Sequence, residues 1–315
     1  MKKEKMNKDK LFSHDSALLP LAAGTITAVI WGFSFVFTKD VLSNTYPSQL
    51  LGLRFGAAAL ALTVLKLTGL IRVNFQGKNW LSLIPLALCQ PVIYFLGETW
   101  GIKWTTASEA GMIIAFVPVF SAIAAGIFLK EKIHKLQLAA ILLSVAGVII
   151  VVTAQGKIEF NQHLWGILAL LLAVVSAGFY SLLSKKSSAD FTPVEITFVM
   201  MWVGALLFNL LGVLEGLLAG NISNYLAPLG SFDVAIGVIY LGVLSSVLAF
   251  FLYNYALSRL KVSQSAPLLN LATVVSVVAG VLIQHDPFSW RHAIGITLII
   301  LGVWGNNIFA NPIEK

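Results

Sequence analysis

Residues 101–150 read GIKWTTASEAGMIIAFVPVFSAIAAGIFLKEKIHKLQLAAILLSVAGVII, and their organisation occurs a second time in the chain. Residues 256–305 read ALSRLKVSQSAPLLNLATVVSVVAGVLIQHDPFSWRHAIGITLIILGVWG. At an offset of 155 residues the two stretches align without a gap and share eight of fifty positions, among them Ser108 with Ser263. In each, a connector is followed by an apolar span, a short polar turn and a second apolar span. The pattern predicts an internal duplication, although two unrelated apolar hairpins would also give a weak match.

The composition indicates a surface that faces lipid. Of 315 residues, 58% are hydrophobic and 11% are charged, and the mean hydropathy is +0.87. A soluble domain carries roughly 25% charged residues. The net charge of +7 could suggest a nucleic-acid partner, but the basic residues punctuate apolar runs instead of clustering with aromatic residues. This pattern is typical of membrane proteins, so the predicted partner is the lipid bilayer and not nucleic acid.

The apolar runs are long enough to cross a membrane. A transmembrane helix needs about 20 residues, and ten runs approach this length. They cover residues 18–38, 49–70, 80–98, 106–129, 137–154, 164–184, 194–218, 233–256, 264–283 and 291–310. Ten such spans leave too few residues for a separate soluble domain. The predicted fold is therefore an all-α integral membrane protein.

The distribution of basic residues predicts the orientation. Sixteen of the 21 Lys and Arg residues fall in the two tails and in the connectors after the even-numbered spans, against four on the other side. By the positive-inside rule, both termini of this multi-pass protein are cytoplasmic, in the cytoplasmic (inner) membrane. Each half has an odd number of spans, so the halves cross in opposite senses. The prediction is two inverted five-helix repeats, residues 18–154 and 164–310, after a cytoplasmic basic tail of residues 1–17.

A set of local motifs makes this prediction more specific. In chain order they are Trp31-Gly32, Pro47, Arg54-Phe55, Thr106-Ala-Ser108, Pro118-Val119-Phe120, the turn Phe128-Leu129-Lys130-Glu131-Lys132, Gln137 and Ala146-Gly147-Val148. They resemble the EamA domain of the drug/metabolite transporter superfamily, as two copies over about residues 22–310. The second copy departs from the pattern, because residues 284–287 replace the Lys-Glu turn and Thr273 replaces the proline. The resemblance implies a ten-helix carrier for amino acids, nucleobases or other small metabolites, often an exporter.

Three charged residues in or beside the spans need an explanation. An arginine within a span costs roughly 2.5–3.5 kcal/mol on insertion scales, so Arg54 should have a partner or a wet cavity. Glu98 and Glu109 bracket the connector between the third and fourth spans at a similar depth. One interpretation is a structural pair between Arg54 and a carboxylate; the other is a role in binding substrate or a coupling ion. Glu98 is the preferred candidate for proton coupling.

Further polar and aromatic residues could line a binding cavity. The candidates are Trp31, Phe35, Tyr94, Glu98, Tyr180, Tyr253, Asn254 and Asn270. Membrane aromatics also serve as packing or interface anchors, and that interpretation stays open. Pro91 and Pro118 should interrupt their helices in mid-span, where freed carbonyl groups need a polar partner.

The remaining motifs exclude several function classes. The chain has no Gly-x-x-x-x-Gly-Lys-Ser/Thr run, which argues against direct ATP drive, and no His-Glu-x-x-His metal motif. No metal site and no cofactor are predicted. The Lys130-Glu131-Lys132 turn is expected to set topology, with Glu131 capping or bracing the next helix.

The predicted function is secondary active transport by alternating access. The substrate would be a small neutral or zwitterionic metabolite, amino-acid-like or nucleobase-like, and a proton or another ion would be the coupling species. The carrier would be a monomer or homodimer, and export is the favoured direction. Three alternatives remain: a membrane-embedded enzyme, a non-transporting receptor and a channel. They would need clustered catalytic groups, a sensor domain and a continuous polar stripe, respectively.

Overall fold

The computed structural model describes residues 2–104, 113–154, 164–218, 225–283 and 288–310, without the side chains of residues 2–17, 35, 39, 102, 103 and 154. Within these ranges the chain forms helices and no strands. The helices of the bundle are α1 (Lys2–Leu42), α2 (Pro47–Leu67), α3 (Trp80–Gly101), α4 (Val117–Phe128), α5 (Lys135–Ala154), α6 (Leu164–Ser187), α7 (Pro193–Leu218), α8 (Phe232–Arg259), α9 (Val262–Ile283) and α10 (Trp290–Phe309). The prediction of an all-α fold is confirmed.

Nine of these helices are long and apolar enough to cross a membrane, counting the described residues alone. The exception is α4, a 12-residue apolar helix whose predicted start, residues 106–112, lies outside the described ranges. The predicted spans agree with the helices to within four residues at the ends that can be compared. The start of α1 differs, because the helix is continuous from Lys2 and only Leu18–Leu42 is of membrane character.

The packing of the helices follows the predicted repeat. Helix α1 of the first repeat packs against α8 and α9 of the second repeat. Helix α6 of the second repeat packs against α3 and α4 of the first repeat. The pairs α2 with α7 and α5 with α10 join equivalent helices. Exchanging every helix for the one five places later leaves this set of contacts unchanged. Two repeats related by an approximate two-fold axis pack in this way, and five spans per repeat make them inverted.

The helices α5 and α10 approach each other closely across the boundary between the repeats. A Cβ atom added at Gly147 would lie 2.6 Å from the carbonyl oxygen of Gly295, and one at Gly302 would lie 2.5 Å from the backbone nitrogen of Ser144. Backbone atoms cannot move aside as a flexible side chain can. Small residues let membrane helices approach closely where the hydrophobic effect does not drive them together. These glycines therefore set the distance between the repeats.

Two helices are interrupted in mid-membrane. Gln90 in α3 has extended backbone angles (φ −145°, ψ 120°), inside a π-helical segment, Leu88–Ile93. The second interrupted helix, α8, has a longer π-helical segment at Tyr240–Leu248. Because α3 and α8 are equivalent in the two repeats, both halves of the bundle have an irregular backbone at a corresponding position.

Replacing Gly302 with alanine should destabilise the bundle. The new methyl group would meet backbone atoms of α5, and overpacking of this kind costs about 1–3 kcal/mol. We expect a lower melting temperature for the detergent-solubilised variant. Gly230→Ala is the control, because nothing lies within 4 Å of an added Cβ there. Equal melting temperatures for the two variants would contradict close packing of α5 on α10.

Candidate functional site

A cavity of about 520 Å³ lies between the two repeats. Its wall is built from α1, α2, α3 and the α4 region of the first repeat and from α6, α8 and α9 of the second. This volume suits a small metabolite, since ligand pockets commonly measure about 300–1,000 Å³. The wall is mostly apolar and includes six serines and threonines: Ser34, Thr38, Thr45, Thr99, Ser181 and Thr273.

The cavity extends much further towards one end of the bundle than towards the other. We call the end with the connectors after α2, α4, α6 and α8 the basic end, because these connectors and the two tails together hold sixteen of the 21 lysines and arginines. Away from the basic end, the described wall reaches Thr45 and Pro47 at the α1–α2 connector. Towards the basic end, the wall stops at Tyr180, Tyr253 and Leu269.

Most of the sequence-predicted site residues share this cavity. Its wall includes Trp31, Arg54, Tyr94, Glu98, Pro118, Tyr180, Tyr253 and Asn270. Asn254 and Pro91 are not part of the wall. The side chain of Phe35 and the whole of Glu109 lie outside the part of the chain that the structure describes.

Arg54 is buried, and within the described ranges its hydrogen bonds go to hydroxyl groups and not to a carboxylate. Its Nε donates to Ser246 Oγ at 2.8 Å and its Nη2 to Ser245 Oγ at 3.0 Å, both in the π-helical segment of α8. The guanidinium carbon also lies 4.6 Å from the ring centre of Phe95, which is a cation–π contact. Arginine has five N–H donors, so several of them have no partner within the described ranges.

Glu98 faces the same cavity without pairing with Arg54. No ion pair within 4.0 Å joins these two described residues. The Tyr94 hydroxyl donates to Glu98 Oε1 at 3.0 Å, one helical turn away on α3. The charge pair expected between Arg54 and Glu98 is therefore not a direct contact. A cation and an anion instead stand apart in the wall of one cavity.

The interruption of α3 places the Gln90 side-chain amide in the cavity wall. It also frees the Cys89 carbonyl, which accepts a hydrogen bond from the other repeat. The Gln90 side chain is 6% exposed, lines the cavity and has no hydrogen-bond partner among the residues that are described. Ser176 Oγ of α6 donates to the Cys89 carbonyl at 2.6 Å. Lipid cannot satisfy a freed carbonyl, so a side chain from a neighbouring helix does. Pro91 directly follows this break, and Pro118 lies at the start of α4.

The end of the cavity nearer the basic end is aromatic. Trp31 packs edge-on against Phe250 and Tyr253, with ring centres 5.1 and 5.6 Å apart. Its Nε1 donates to the Ser245 carbonyl at 2.9 Å. The same serine therefore receives one hydrogen bond from Arg54 through its hydroxyl and one from Trp31 through its backbone. This geometry fixes α1 and α2 against α8.

Asn254 lies behind the cavity wall, at the centre of a buried hydrogen-bond network. Its Oδ1 accepts from Tyr180 at 2.8 Å and from Ser184 at 2.7 Å, and its Nδ2 donates to Thr197 Oγ1 at 3.0 Å. The residue is fully buried. The network joins α6, α7 and α8, so the arrangement of Asn254 suits packing within the second repeat. Asn270 is different, because it lines the cavity while its Nδ2 donates to Ser144 Oγ of α5 at 3.0 Å.

Several residues at the cavity or in contact with its wall were not predicted from sequence. Ser245 and Ser246, which hold Arg54, are unremarkable within an apolar run. Gln90, which directly precedes Pro91, was not among the candidates. A glutamine in the middle of an apolar span is itself a sign of a polar site, because an unpaired amide is costly within the membrane. Within the described ranges, no group of three or more His, Cys, Asp or Glu residues could hold a metal ion.

A cavity of metabolite size between two inverted repeats of membrane-spanning helices is the architecture of a transmembrane transporter. The sequence matches the EamA-like transporter family over residues 19–153 and 164–308. These two segments cover most of the chain, which therefore belongs to the EamA-like transporter family.

Relatives cover almost the whole chain. An uncharacterized transporter of Bacillus subtilis, YcxC, is 32% identical over 286 residues, 91% of this chain and 92% of the relative. A probable terminal-alkyne amino-acid exporter of Streptantibioticus cattleyicolor is 27% identical over 88% of this chain and 90% of its own length. A probable amino-acid metabolite efflux pump of Escherichia coli is 22% identical, over 89% and 92% respectively.

A solved structure supports the fold. A chain in a crystal structure superposes with a TM-score of 0.77 at 17% sequence identity, covering 92% of this chain and 99% of that chain. At this identity the likeness concerns the fold alone.

Replacing Asn254 with leucine should destabilise the second repeat. The buried hydroxyls of Tyr180 and Ser184 would lose their acceptor, and each unsatisfied buried group costs about 1–3 kcal/mol. We expect a clear drop in the melting temperature of the purified protein. Asn44→Leu, at an exposed position between α1 and α2, is the control. An Asn254→Leu variant as stable as the control would contradict the structural role of this network.

Proposed function

We propose that this protein exports an amino-acid-like zwitterion across the cytoplasmic membrane by alternating access of the cavity between its two repeats. The observation that carries the proposal is the cavity wall itself, in which the cation Arg54 and the anion Glu98 are present but not paired with each other. A zwitterion offers one group to each of them. The printed names of two relatives, an amino-acid exporter and an amino-acid metabolite efflux pump, support the same class of substrate.

The substrate's carboxylate would bind at Arg54. Two donors of the guanidinium hold serines of α8, and its remaining N–H groups, which have no partner among the described residues, would bind the ligand. The Gln90 amide, also in the wall and without a partner within the described ranges, would contribute a further donor. Arginine binds carboxylates well, because its planar fork of donors matches their geometry.

The substrate's ammonium group would bind at Glu98 and Tyr94. Its side chain would lie against Trp31, Tyr180 and Tyr253, at the aromatic end of the cavity. Asn270 would supply an amide on the opposite wall. In this arrangement the charged groups of the substrate lie towards the α1–α2 connector and its apolar part lies deeper.

Alternating access is supported by the asymmetry of the cavity. The wall reaches the α1–α2 connector but stops short of the basic end. Exchanging the conformations of the two repeats would produce a cavity that reaches the basic end instead. With the basic end in the cytoplasm, as the positive-inside rule favours, both termini are cytoplasmic and the conformation seen here faces outward. The repeats, residues 18–154 and 164–310, supply the whole wall, so one chain suffices whether the protein is a monomer or a homodimer.

Counterflow into liposomes tests the proposal. Vesicles containing the purified protein would be loaded with an unlabelled pool of amino acids and nucleobases, and each labelled compound would be added outside in turn. Saturable uptake of a zwitterionic amino acid is the expected result. Uptake of nucleobases alone would contradict the proposed substrate class, and no counterflow from the whole pool would contradict an amino-acid carrier.

Replacing Arg54 with glutamine should weaken substrate binding. Loss of a charged hydrogen bond of about 1.5–3 kcal/mol corresponds to a rise in KM of about 10- to 100-fold. Lys66→Gln on the same helix is the matched control, since Lys66 is exposed near the basic end and lies outside the cavity wall. The KM would be measured for the amino acid that gives the strongest counterflow. An unchanged KM in Arg54→Gln would exclude the carboxylate site at Arg54.

Replacing Glu98 with glutamine should remove the pH dependence of transport if this carboxyl group takes up the coupled proton. Among the described residues, the charged group that shares its cavity is Arg54, and the neutral phenol of Tyr94 donates a hydrogen bond to Glu98. Uptake would be measured in liposomes with an imposed pH gradient. Glu215→Gln is the control, because Glu215 accepts from Ser48 away from the cavity. Wild-type pH dependence in Glu98→Gln would assign the proton to another group.

A further inference from the structure

Glu131 makes a contact that the sequence did not predict. Instead of capping α5, the helix that follows it, its carboxylate caps the first turn of α9. The Val262 backbone N–H donates to Oε1 at 2.9 Å, and the Ser263 backbone N–H donates to Oε2 at 3.2 Å. The Ser263 hydroxyl adds a third bond to Oε2, at 2.7 Å. The expectation that Glu131 braces the next helix is therefore wrong.

This contact joins the two repeats at the basic end. Glu131 belongs to the α4–α5 connector of the first repeat, and Val262 and Ser263 begin α9 of the second. Both α9 residues are buried, at 0% and 1% exposure. A carboxylate at a helix N-terminus gains both from hydrogen bonds to free N–H groups and from the helix dipole. The contact therefore ties the first turn of α9 to the first repeat through three hydrogen bonds.

The helix that Glu131 holds is also a wall of the cavity. Further along α9, Leu269, Asn270 and Thr273 line the cavity. Between the capped turn and these residues, α9 narrows to a 3-10 segment, Ala266–Asn270. Mid-helix 3-10 stretches often mark hinges. Tilting the first turn of α9 away from Glu131 would therefore open a path from the basic end to the cavity.

We propose that Glu131 is the latch that keeps the cavity closed at the basic end. This inference rests on the proposed alternating-access function. It assigns a gating role to the Lys130-Glu131-Lys132 turn, which takes no part in the proposed binding of substrate. In the closed arrangement, the Glu131 carboxylate holds α9 of the opposite repeat. Access from the basic end requires these three hydrogen bonds to break and the polar groups to be hydrated. Loss of the carboxylate then favours the conformation that is open at the basic end.

Site-specific labelling tests the latch without any substrate. The full-length protein would carry Cys89→Ser, which removes its one cysteine, and Leu269→Cys as a reporter in the cavity wall. A membrane-impermeant maleimide would be added to right-side-out cells and to inside-out vesicles. The ratio of the labelling rate from the basic end to that from the opposite end reports which way the cavity faces.

In the reporter background, Glu131→Ala should raise this ratio about tenfold, with faster labelling at the basic end and slower labelling at the other. Ser263→Ala should give a smaller rise, because the two backbone N–H donors remain. Glu131→Gln should lie between wild type and Glu131→Ala, since it keeps an acceptor without the charge. Lys130→Ala, an exposed neighbour in the same turn, is the control and should leave the ratio unchanged.

An unchanged ratio in Glu131→Ala would overturn the latch. Faster labelling from both ends would overturn it as well, because this would indicate loosened folding and not a change of facing. Failure of the transport function is distinguishable, because labelling requires no substrate. A shifted ratio without counterflow would support the latch and contradict the proposed transport. Normal counterflow with an unshifted ratio would support the transport and contradict the latch.

Discussion

Every break in a membrane helix frees backbone groups that lipid cannot satisfy. In this protein, side chains of the opposite repeat satisfy several of them. Ser176 of α6 bonds the Cys89 carbonyl in α3, and Trp31 of α1 bonds the Ser245 carbonyl in α8. The irregular segments of α3 and α8 are thus points at which the two repeats bind to each other. A cavity could not form here in one repeat alone.

The sequence predicted the fold well because its signals are local. Span length, apolar composition and the repeat at an offset of 155 residues need no knowledge of packing, and helix ends followed within a few residues. The site was predicted in part. Trp31, Arg54 and Glu98 were selected because polar and aromatic groups are costly or conspicuous in a span, and the structure places all three in one cavity.

The remaining features depend on which helix faces which. Asn254 has the same polarity as Asn270, yet it serves a buried network behind the wall while Asn270 lines the cavity. Arg54 was expected to have a partner or a wet cavity, and it lines the cavity while, among the described residues, it bonds two serines of α8. Glu131 was expected to act on its own neighbour in sequence and caps a helix 131 residues further along. Such partners are set by tertiary packing, which a single sequence does not encode in any local pattern.

The α8–α9 connector is very short, since α8 ends at Arg259 and α9 begins at Val262. Lys185 of α6 donates a hydrogen bond to the Leu260 carbonyl of this connector at 2.7 Å. With so little chain between them, the last turn of α8 and the first turn of α9 are closely coupled. A displacement of α9 at the membrane surface would be transmitted through this hairpin to Tyr253 in α8. A movement of the first turn of α9 would therefore reach the aromatic end of the cavity, which lies on the other arm of the hairpin.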